Sequence, residues 1–198
     1  MAYKKRGNMQ YMGNQSFWDQ KFEQRSGGIM SPEKSLVENI NLLKLGSVLD
    51  VACGDGRNTI YLAELGYALT GIDFSSKALV RLGRFLHEKK LKAYLKLVDL
   101  SSEQAFDGMG VFDNIVINHY RLDASKLSQL AEHLSEDGIL FVSGFGEHHR
   151  VDERIRSEDL IRISDFDGLK DQFEWLKKEA TRDERGGFVT FILKKVKA

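Results

Sequence analysis

The residue types best suited to chemistry in this chain lie in a short acidic, glycine-rich turn. Residues 48–51 predict a strand that is apolar except for Asp50, and Gly54-Asp55-Gly56 follows it within three residues. A helical pattern begins near Asn58. A strand that feeds a helix through a tight glycine turn is the corner at which doubly wound sheets hold phosphates and nucleotides. We expect Gly54 to permit a turn with positive φ, and Gly56 to let another molecule approach the backbone without a Cβ in the way.

Two further carboxylates stand at the ends of predicted strands. Asp73 ends the strand over residues 68–72, about 20 residues beyond the turn, where a carboxylate can accept hydrogen bonds from both ribose hydroxyls. Asp99 ends the strand over residues 93–98 and is placed to accept from an adenine amino group, with the backbone of Leu100 nearby. The alternatives are that Asp73 caps the following helix and that Asp99 is a plain turn residue.

Asp50 and Thr59 argue against a dinucleotide as the ligand. The dinucleotide fingerprint is Gly-x-Gly-x-x-Gly, whose third glycine permits close packing of helix on strand, and Thr59 occupies that third position here. A pyrophosphate would also meet the Asp50 carboxylate rather than a bare turn. An acidic surrounding suits a ligand with an ammonium and a sulfonium group. The alternative is that Asp50 is only a buried carboxylate bonded to backbone amides.

The turn at residues 50–56, Asp-Val-Ala-Cys-Gly-Asp-Gly, resembles motif I of the class I S-adenosylmethionine-dependent methyltransferases. In that family an acidic residue precedes Gly/Ala-Cys-Gly-x-Gly, and Ala52 stands where many members have glycine. The run over residues 56–67 is similar to the branch that contains the tellurite-resistance and thiopurine-type methyltransferases. The motif match is specific from residue 48 to about residue 76, and the strand order and final hairpin extend a weaker resemblance over most of the chain.

The resemblance implies methyl transfer with S-adenosylmethionine as cofactor, and it places Phe74 against the adenine, where core packing is the alternative. Cys53 is expected to be a small buried filler rather than a nucleophile, because no base is indicated beside it. Together with the strand-end carboxylates, these considerations assign eleven residues to the cofactor: Asp50, Ala52, Cys53, Gly54, Gly56, Asn58, Asp73, Phe74, Asp99, Leu100 and Asn118.

The run Asn118-His119-Tyr120-Arg121 follows the fourth predicted strand, where the acceptor lies in this fold. Enzymes of this fold that methylate amino groups of nucleic acids carry Asn/Asp-Pro-Pro-aromatic there, whereas the single proline of this chain is Pro32. His119 and Tyr120 are the two candidates to face an acceptor, as a base or as an aromatic wall for the methyl group. Strand-end packing is the alternative for both, and no catalytic residue is assigned.

The pattern of elements predicts one α/β domain over residues 1–198, a Rossmann-like, doubly wound seven-stranded sheet that is mostly parallel. Strands alternating with helices imply parallel pairing and right-handed crossovers. Residues 175–181 and 188–196 predict a closing antiparallel hairpin, where a dehydrogenase would continue with further βαβ units. Residues 1–30 are expected to form an arm, possibly a lid over the site, and residues 31–198 the core.

Two helices are predicted from their capping residues. Ser31 as N-cap and Pro32 at the first helical position open a helix that Gly46 ends. Ser164 starts a short helix through Leu169 and Phe173.

The amino-acid composition limits the classes of partner that this protein is expected to bind. Lys plus Arg and Asp plus Glu both number 29 among 198 residues, and the absence of a basic excess disfavours a long nucleic acid. One cysteine excludes an intrachain disulfide, and no run approaches the roughly 20 apolar residues of a membrane span, so a cytoplasmic protein is expected. No metal is expected, since adjacent His148 and His149 rarely point the same way.

These observations predict methyl transfer by in-line displacement to a small-molecule acceptor. The alternatives are an NAD(P)-dependent oxidoreductase on a related sheet, and a non-catalytic nucleotide-binding or partner subunit.

Overall fold

The structure, a computed structural model, describes residues 14–196. The strands are β1 (Ser47–Val51), β2 (Ala68–Asp73), β3 (Ala93–Leu97), β4 (Phe112–Asn118), β5 (Leu134–Phe145), β6 (Phe173–Asp183) and β7 (Gly186–Lys195). The helices are α1 (Gln15–Gln24), α2 (Lys34–Glu38), α3 (Arg57–Glu64), α4 (Ser76–Glu88) and α5 (Ala124–Ala131). Short 3₁₀ turns occupy Ile40–Leu42, Ser157–Asp159 and Ile163–Leu169.

The seven strands form one sheet in the order β3-β2-β1-β4-β5-β7-β6. The five strands from β1 to β5 pair in parallel, and β7 pairs antiparallel with both β5 and β6. The predicted fold, a mostly parallel Rossmann-like sheet closed by a C-terminal hairpin, is therefore confirmed. No helix within the described residues is long and apolar enough to cross a membrane.

The central strands are apolar on both faces because helices cover both sides of the sheet. Leu49 and Ile115 join one buried cluster, whereas their neighbours Val48 and Val116 join a second cluster on the opposite face. This two-sided burial holds β1 and β4 in the interior of the sheet.

Gly56 begins α3 with a φ of 91°, and the reason for glycine there differs from the expectation. A Cβ at Gly56 would come within 2.1 Å of Leu82 Cδ1 on α4, so the glycine makes room for a packed helix rather than for another molecule. Gly54 does adopt the expected positive φ, 56°, and a Cβ there would lie 3.3 Å from the Phe22 ring of α1.

The helix predicted from Ser31 to Gly46 is wrong in its extent. Helix α2 begins after Glu33, whose side chain makes no capping bond, and ends at Asn39, which leaves the helical conformation. The Asn39 amide donates to the carbonyl of Ser35 and accepts from Lys177 Nζ, so its side chain competes with the helical ladder.

The helix predicted from Ser164 is also wrong in type and extent. The segment Ile163–Leu169 is a 3₁₀ turn, and Phe173 belongs to β6, where it pairs with Lys195. A short run with few apolar residues is compatible with the end of a helix or with the start of a strand. The sequence alone therefore could not assign Phe173 to one of them.

Candidate active site

A cavity of about 740 Å³ opens where β1, β2 and β4 end. Its walls include Asp50 of β1, Asp73 at the end of β2 and Asn118 at the end of β4. The strand order reverses between β1 and β4, and ligands of open α/β sheets bind at such a switch point. The volume lies within the range of 300–1,000 Å³ that is typical of small-molecule sites.

The structure brings ten of the eleven residues assigned to the cofactor to this cavity: Asp50, Ala52, Cys53, Gly54, Asn58, Asp73, Phe74, Asp99, Leu100 and Asn118. The eleventh, Gly56, packs against α4 instead. His119 and Tyr120 also line the cavity.

Asp50 is 1% exposed and accepts a 2.6 Å hydrogen bond from the hydroxyl of Thr59. Burial, together with the nearby Asp73 carboxylate, raises the pKa of its carboxyl to about 7, and the hydrogen bonding of Thr59 only partly opposes this rise. Thr59, which replaces the third glycine of a dinucleotide fingerprint, thus holds the Asp50 carboxylate by a hydrogen bond. A cation placed beside Asp50 would favour its charged form.

Asp73 joins the two loops at the base of the cavity. One carboxylate oxygen accepts from the backbone N–H of Gly54 and the other from that of Ser75, both at 2.8 Å. Burial raises the pKa of Asp73, and these two bonds oppose the rise. Ser75, rather than Asp73, caps α4 by accepting from Ala78 N. Each carboxylate oxygen retains capacity for a further donor.

Asp99 has the geometry of a turn residue, the alternative considered for it. It accepts from the hydroxyl and the backbone N–H of Ser101, and these two bonds lower the pKa of its carboxyl. Its side chain is nevertheless exposed at the cavity edge, next to buried Leu100.

The Asn118 side-chain amide is buried at the cavity without a partner. Neither its nitrogen nor its oxygen has a hydrogen bond within the described part of the chain. A buried polar group left unpaired costs about 1–3 kcal/mol. A polar group of a bound ligand can supply the partner that the Asn118 amide lacks.

Cys53 and Tyr120 are poor proton acceptors. Burial and the charges of Asp50 and Asp73 raise the pKa of the Cys53 thiol, the opposite of what a nucleophilic cysteine needs. Burial, together with the charge of Asp99, likewise raises the pKa of the Tyr120 phenol.

Helix α1 lies over the cavity and is attached to the loop that follows β2. Gln15 Nε2 donates to the carbonyl of Phe74, and the Ser75 hydroxyl donates to Asp19 at 2.5 Å. Trp18 and Phe22 stack on each other and both line the cavity. Phe22 is 5% exposed, so it packs in the core and also contacts the site.

An ionic cluster that the sequence did not reveal fixes the end of α1. Arg25 contacts both carboxylate oxygens of Asp55 at 2.9 Å, and Arg81 of α4 contacts one of them at 3.2 Å. Asp55 is 4% exposed and lies between the two glycines of the turn. A carboxylate that is buried in the turn must be paired with cations. An aspartate between the two glycines was therefore the sequence signal from which the cluster could have been predicted.

A second ionic cluster, centred on Glu33, was also missed. His119 Nε2 lies 2.5 Å from Glu33 Oε1, Arg57 lies 2.7 Å from it, and Arg185 of the β6–β7 turn lies 3.3 Å from it. Burial alone raises the pKa of Glu33, but the contact with His119 and the charges of Arg57 and Arg185 outweigh burial and lower the pKa to about 2. Asn58 Oδ1 accepts from the backbone N–H of Glu33.

Within residues 14–196, no group of three or more His, Cys, Asp and Glu side chains is arranged to hold a metal ion. His149 instead packs its ring 4.2 Å from that of Phe145.

Comparison with known proteins identifies the family. A family model described as "Methyltransferase domain" matches residues 48–138. An uncharacterised methyltransferase of Schizosaccharomyces pombe is 30% identical over 122 residues, 56% of this chain and 82% of the relative. A probable S-adenosyl-L-methionine-dependent methyltransferase, TehB of Haemophilus influenzae, is 36% identical over 62 residues, 31% of this chain and 20% of TehB.

Solved structures agree on the fold. The crystal structure of Haemophilus influenzae TehB has a TM-score of 0.67 at 19% identity, over 91% of this chain and 66% of that one. Magnesium protoporphyrin IX methyltransferase from Synechocystis, solved with bound S-adenosylmethionine, has a TM-score of 0.60 at 19% identity, over 91% and 79%. With its turn, sheet order and relatives in agreement, the chain belongs to the class I S-adenosylmethionine-dependent methyltransferases.

Proposed function

We propose that S-adenosylmethionine binds in the cavity between Asp73 and Asn118, and that the enzyme transfers its methyl group to a small molecule. Asp73 receives the ribose hydroxyls, and Phe74, Asp99 and Leu100 surround the adenine. Asp50 balances the ammonium group of the methionine moiety. The unpaired amide of Asn118 supports this placement, because a polar ligand in the cavity would satisfy it.

The position of α1 is the observation that best supports a small-molecule acceptor. Trp18 and Phe22 cover the cavity from one side, and Ile155 and Ile161 of the segment after β5 line it from another. Walls on two sides favour an acceptor small enough to enter the cavity over one on the surface of a folded macromolecule. The cofactor supplies an electrophilic methyl group, so the chain needs mainly to align the acceptor and exclude water.

The acceptor proposal is tested by fractionating possible acceptors by size. Purified enzyme and methyl-tritiated S-adenosylmethionine are incubated separately with a low-molecular-mass cell extract, with total RNA and with total protein. We expect label to enter a product in the low-mass fraction only. Incorporation confined to RNA or protein would contradict the proposal.

The raised pKa of Asp50 makes cofactor binding dependent on pH. Asp50 is protonated in the free protein below about pH 7, and a ligand ammonium beside it favours the ionised form, so binding should release a proton. We expect the affinity for S-adenosylhomocysteine, measured by calorimetry, to rise up to about tenfold per unit between pH 5 and 7 and then level off. Asp50→Asn should bind more weakly and lose this dependence. An unchanged slope in that variant would place the ammonium elsewhere.

We further propose that residues 14–30 serve as a roof that must open for cofactor exchange; residues 1–13 of the predicted arm lie outside the described residues. Arg25→Ala removes the bidentate contact with Asp55, and we expect faster hydrogen exchange across α1 and faster release of S-adenosylhomocysteine. Arg84→Ala, which removes an exposed pair with Glu88, is the matched control. Equal exchange of α1 in both variants would contradict the roof.

A further inference from the structure

The Glu33–His119 pair lies at the wall of the cavity and is not explained by cofactor binding. The Glu33 carboxylate is 5% exposed, the His119 side chain is 30% exposed, and His119 Nε2 and Glu33 Oε1 are 2.5 Å apart. His119 directly follows β4, has a φ of 56°, and lines the cavity. A non-glycine residue in that conformation costs about 1–3 kcal/mol and is found preferentially at functional sites.

The contacts of the His119 ring leave one nitrogen available. Phe145 and Phe188 pack against the ring at centroid distances of 5.6 and 5.7 Å, and Nε2 faces Glu33. No residue of the described chain bonds to Nδ1. His119 lines the cavity, and its side chain is partly exposed.

The charge state of Glu33 determines which ring nitrogen carries the proton. An ionised carboxylate only accepts hydrogen bonds, so Nε2 must donate and a neutral imidazole then keeps a lone pair on Nδ1. Arg57 and Arg185 both contact Glu33 and stabilise its ionised form. In Ser-His-Asp triads a carboxylate likewise binds one ring nitrogen and leaves the other as the base, with the roles of Nδ1 and Nε2 exchanged.

We propose that His119 is the proton acceptor of the methyl transfer, and that Glu33 is a positioning residue that holds it in the Nε2–H tautomer. The proposal rests on the proposed function and adds the class of acceptor, a hydroxyl, thiol or ring N–H that must lose a proton as it is methylated. As the acceptor atom bonds to the methyl carbon, its proton passes to Nδ1. The electron pair of the broken carbon–sulfur bond stays on sulfur, and His119 then releases the proton to solvent.

The test is ¹⁵N NMR of the histidine ring nitrogens at pH 8, with His119→Gln used to assign the signals. In the wild type we expect Nε2 protonated and Nδ1 bare, with and without S-adenosylhomocysteine. In Glu33→Gln the two arginines retain the amide oxygen, the NH₂ group faces the ring, and an Nδ1–H population should appear. Arg185→Ala removes another Glu33 partner outside the cavity and should keep the wild-type pattern.

Three results would overturn the proposal: both nitrogens protonated in the wild type, as in a structural ion pair; Nδ1 protonated in the wild type; or an unchanged pattern in Glu33→Gln. If Glu33→Gln does not fold, the wild-type spectrum still decides between these states. Calorimetry with S-adenosylhomocysteine separates the two proposals. His119→Gln should bind it within about threefold of wild type, whereas failure of the wild type to bind would refute the proposed function itself, whichever ring nitrogen carries the proton.

Discussion

Asp73→Ala is expected to weaken S-adenosylhomocysteine binding by at least about 100-fold. A hydrogen bond to a charged group contributes roughly 1.5–3 kcal/mol, and the proposed placement gives Asp73 two of them, to the ribose hydroxyls. The same carboxylate holds the N–H groups of Gly54 and Ser75, so its loss also frees the two loops that frame the cavity. Isothermal calorimetry measures the affinity directly.

The control for Asp73→Ala is a carboxylate with similar internal bonds far from the cavity. Asp113 is the second residue of β4, at the end of the strand opposite the cavity, and accepts from the backbone N–H and the hydroxyl of Ser47. Asp113→Ala should lose stability without losing affinity. Thermal melts of both variants show whether each is folded at the titration temperature. An Asp73→Ala variant that is folded and binds normally would mean that the ribose lies elsewhere.

Glu33→Ala is expected to destabilise the fold by about 3 kcal/mol at pH 7, and the effect should disappear in acid. The folded-state pKa of Glu33 is about 2 against an ordinary 4.5, and each unit is equivalent to about 1.4 kcal/mol. Because the folded pKa is depressed, this stabilisation is present above about pH 4.5 and is lost as the pH falls towards 2. Removing Glu33 also leaves Arg57 and His119 without their shared partner.

Urea unfolding of wild type and Glu33→Ala at pH 7 and at pH 3 measures this effect. The difference in free energy of unfolding between the two proteins should shrink by roughly half or more at the lower pH. Glu38→Ala, which removes an exposed pair with Lys34, should change stability by less than 1 kcal/mol at both pH values. A difference for Glu33→Ala that is small, or that does not depend on pH, would show that the cluster contributes little.

The sequence predicted those parts of the fold and site that depend on local patterns. The strand–turn–helix at Asp50 to Asn58 and the carboxylate at Asp73 follow from strand periodicity and glycine spacing, and the structure places them together. Asp50 and Thr59 correctly distinguished this site from a dinucleotide-binding site, although the hydrogen bond between them was not predicted. The terminal hairpin was likewise predicted from two strand segments that flank a polar, glycine-containing turn.

Features that depend on distant contacts were not predictable. Glu33 was read as part of a helix opened by Ser31, but its partners come from α3, the end of β4 and the β6–β7 turn. Arg25 and Asp55 meet only because α1 folds back over the glycine turn. At Gly56 the glycine was recognised but its reason was wrong, because a packing partner and a ligand both require the absence of a Cβ.

A crystal structure with S-adenosylhomocysteine tests the central claim, the position of the cofactor, most directly. The account predicts both ribose hydroxyls on Asp73, the adenine between Phe74 and the Asp99–Leu100 segment, and a polar group of the ligand on the Asn118 amide. The sulfur should lie on the side of the cavity that His119 lines. A ligand whose ribose makes no contact with Asp73, or one bound outside this cavity, would contradict it.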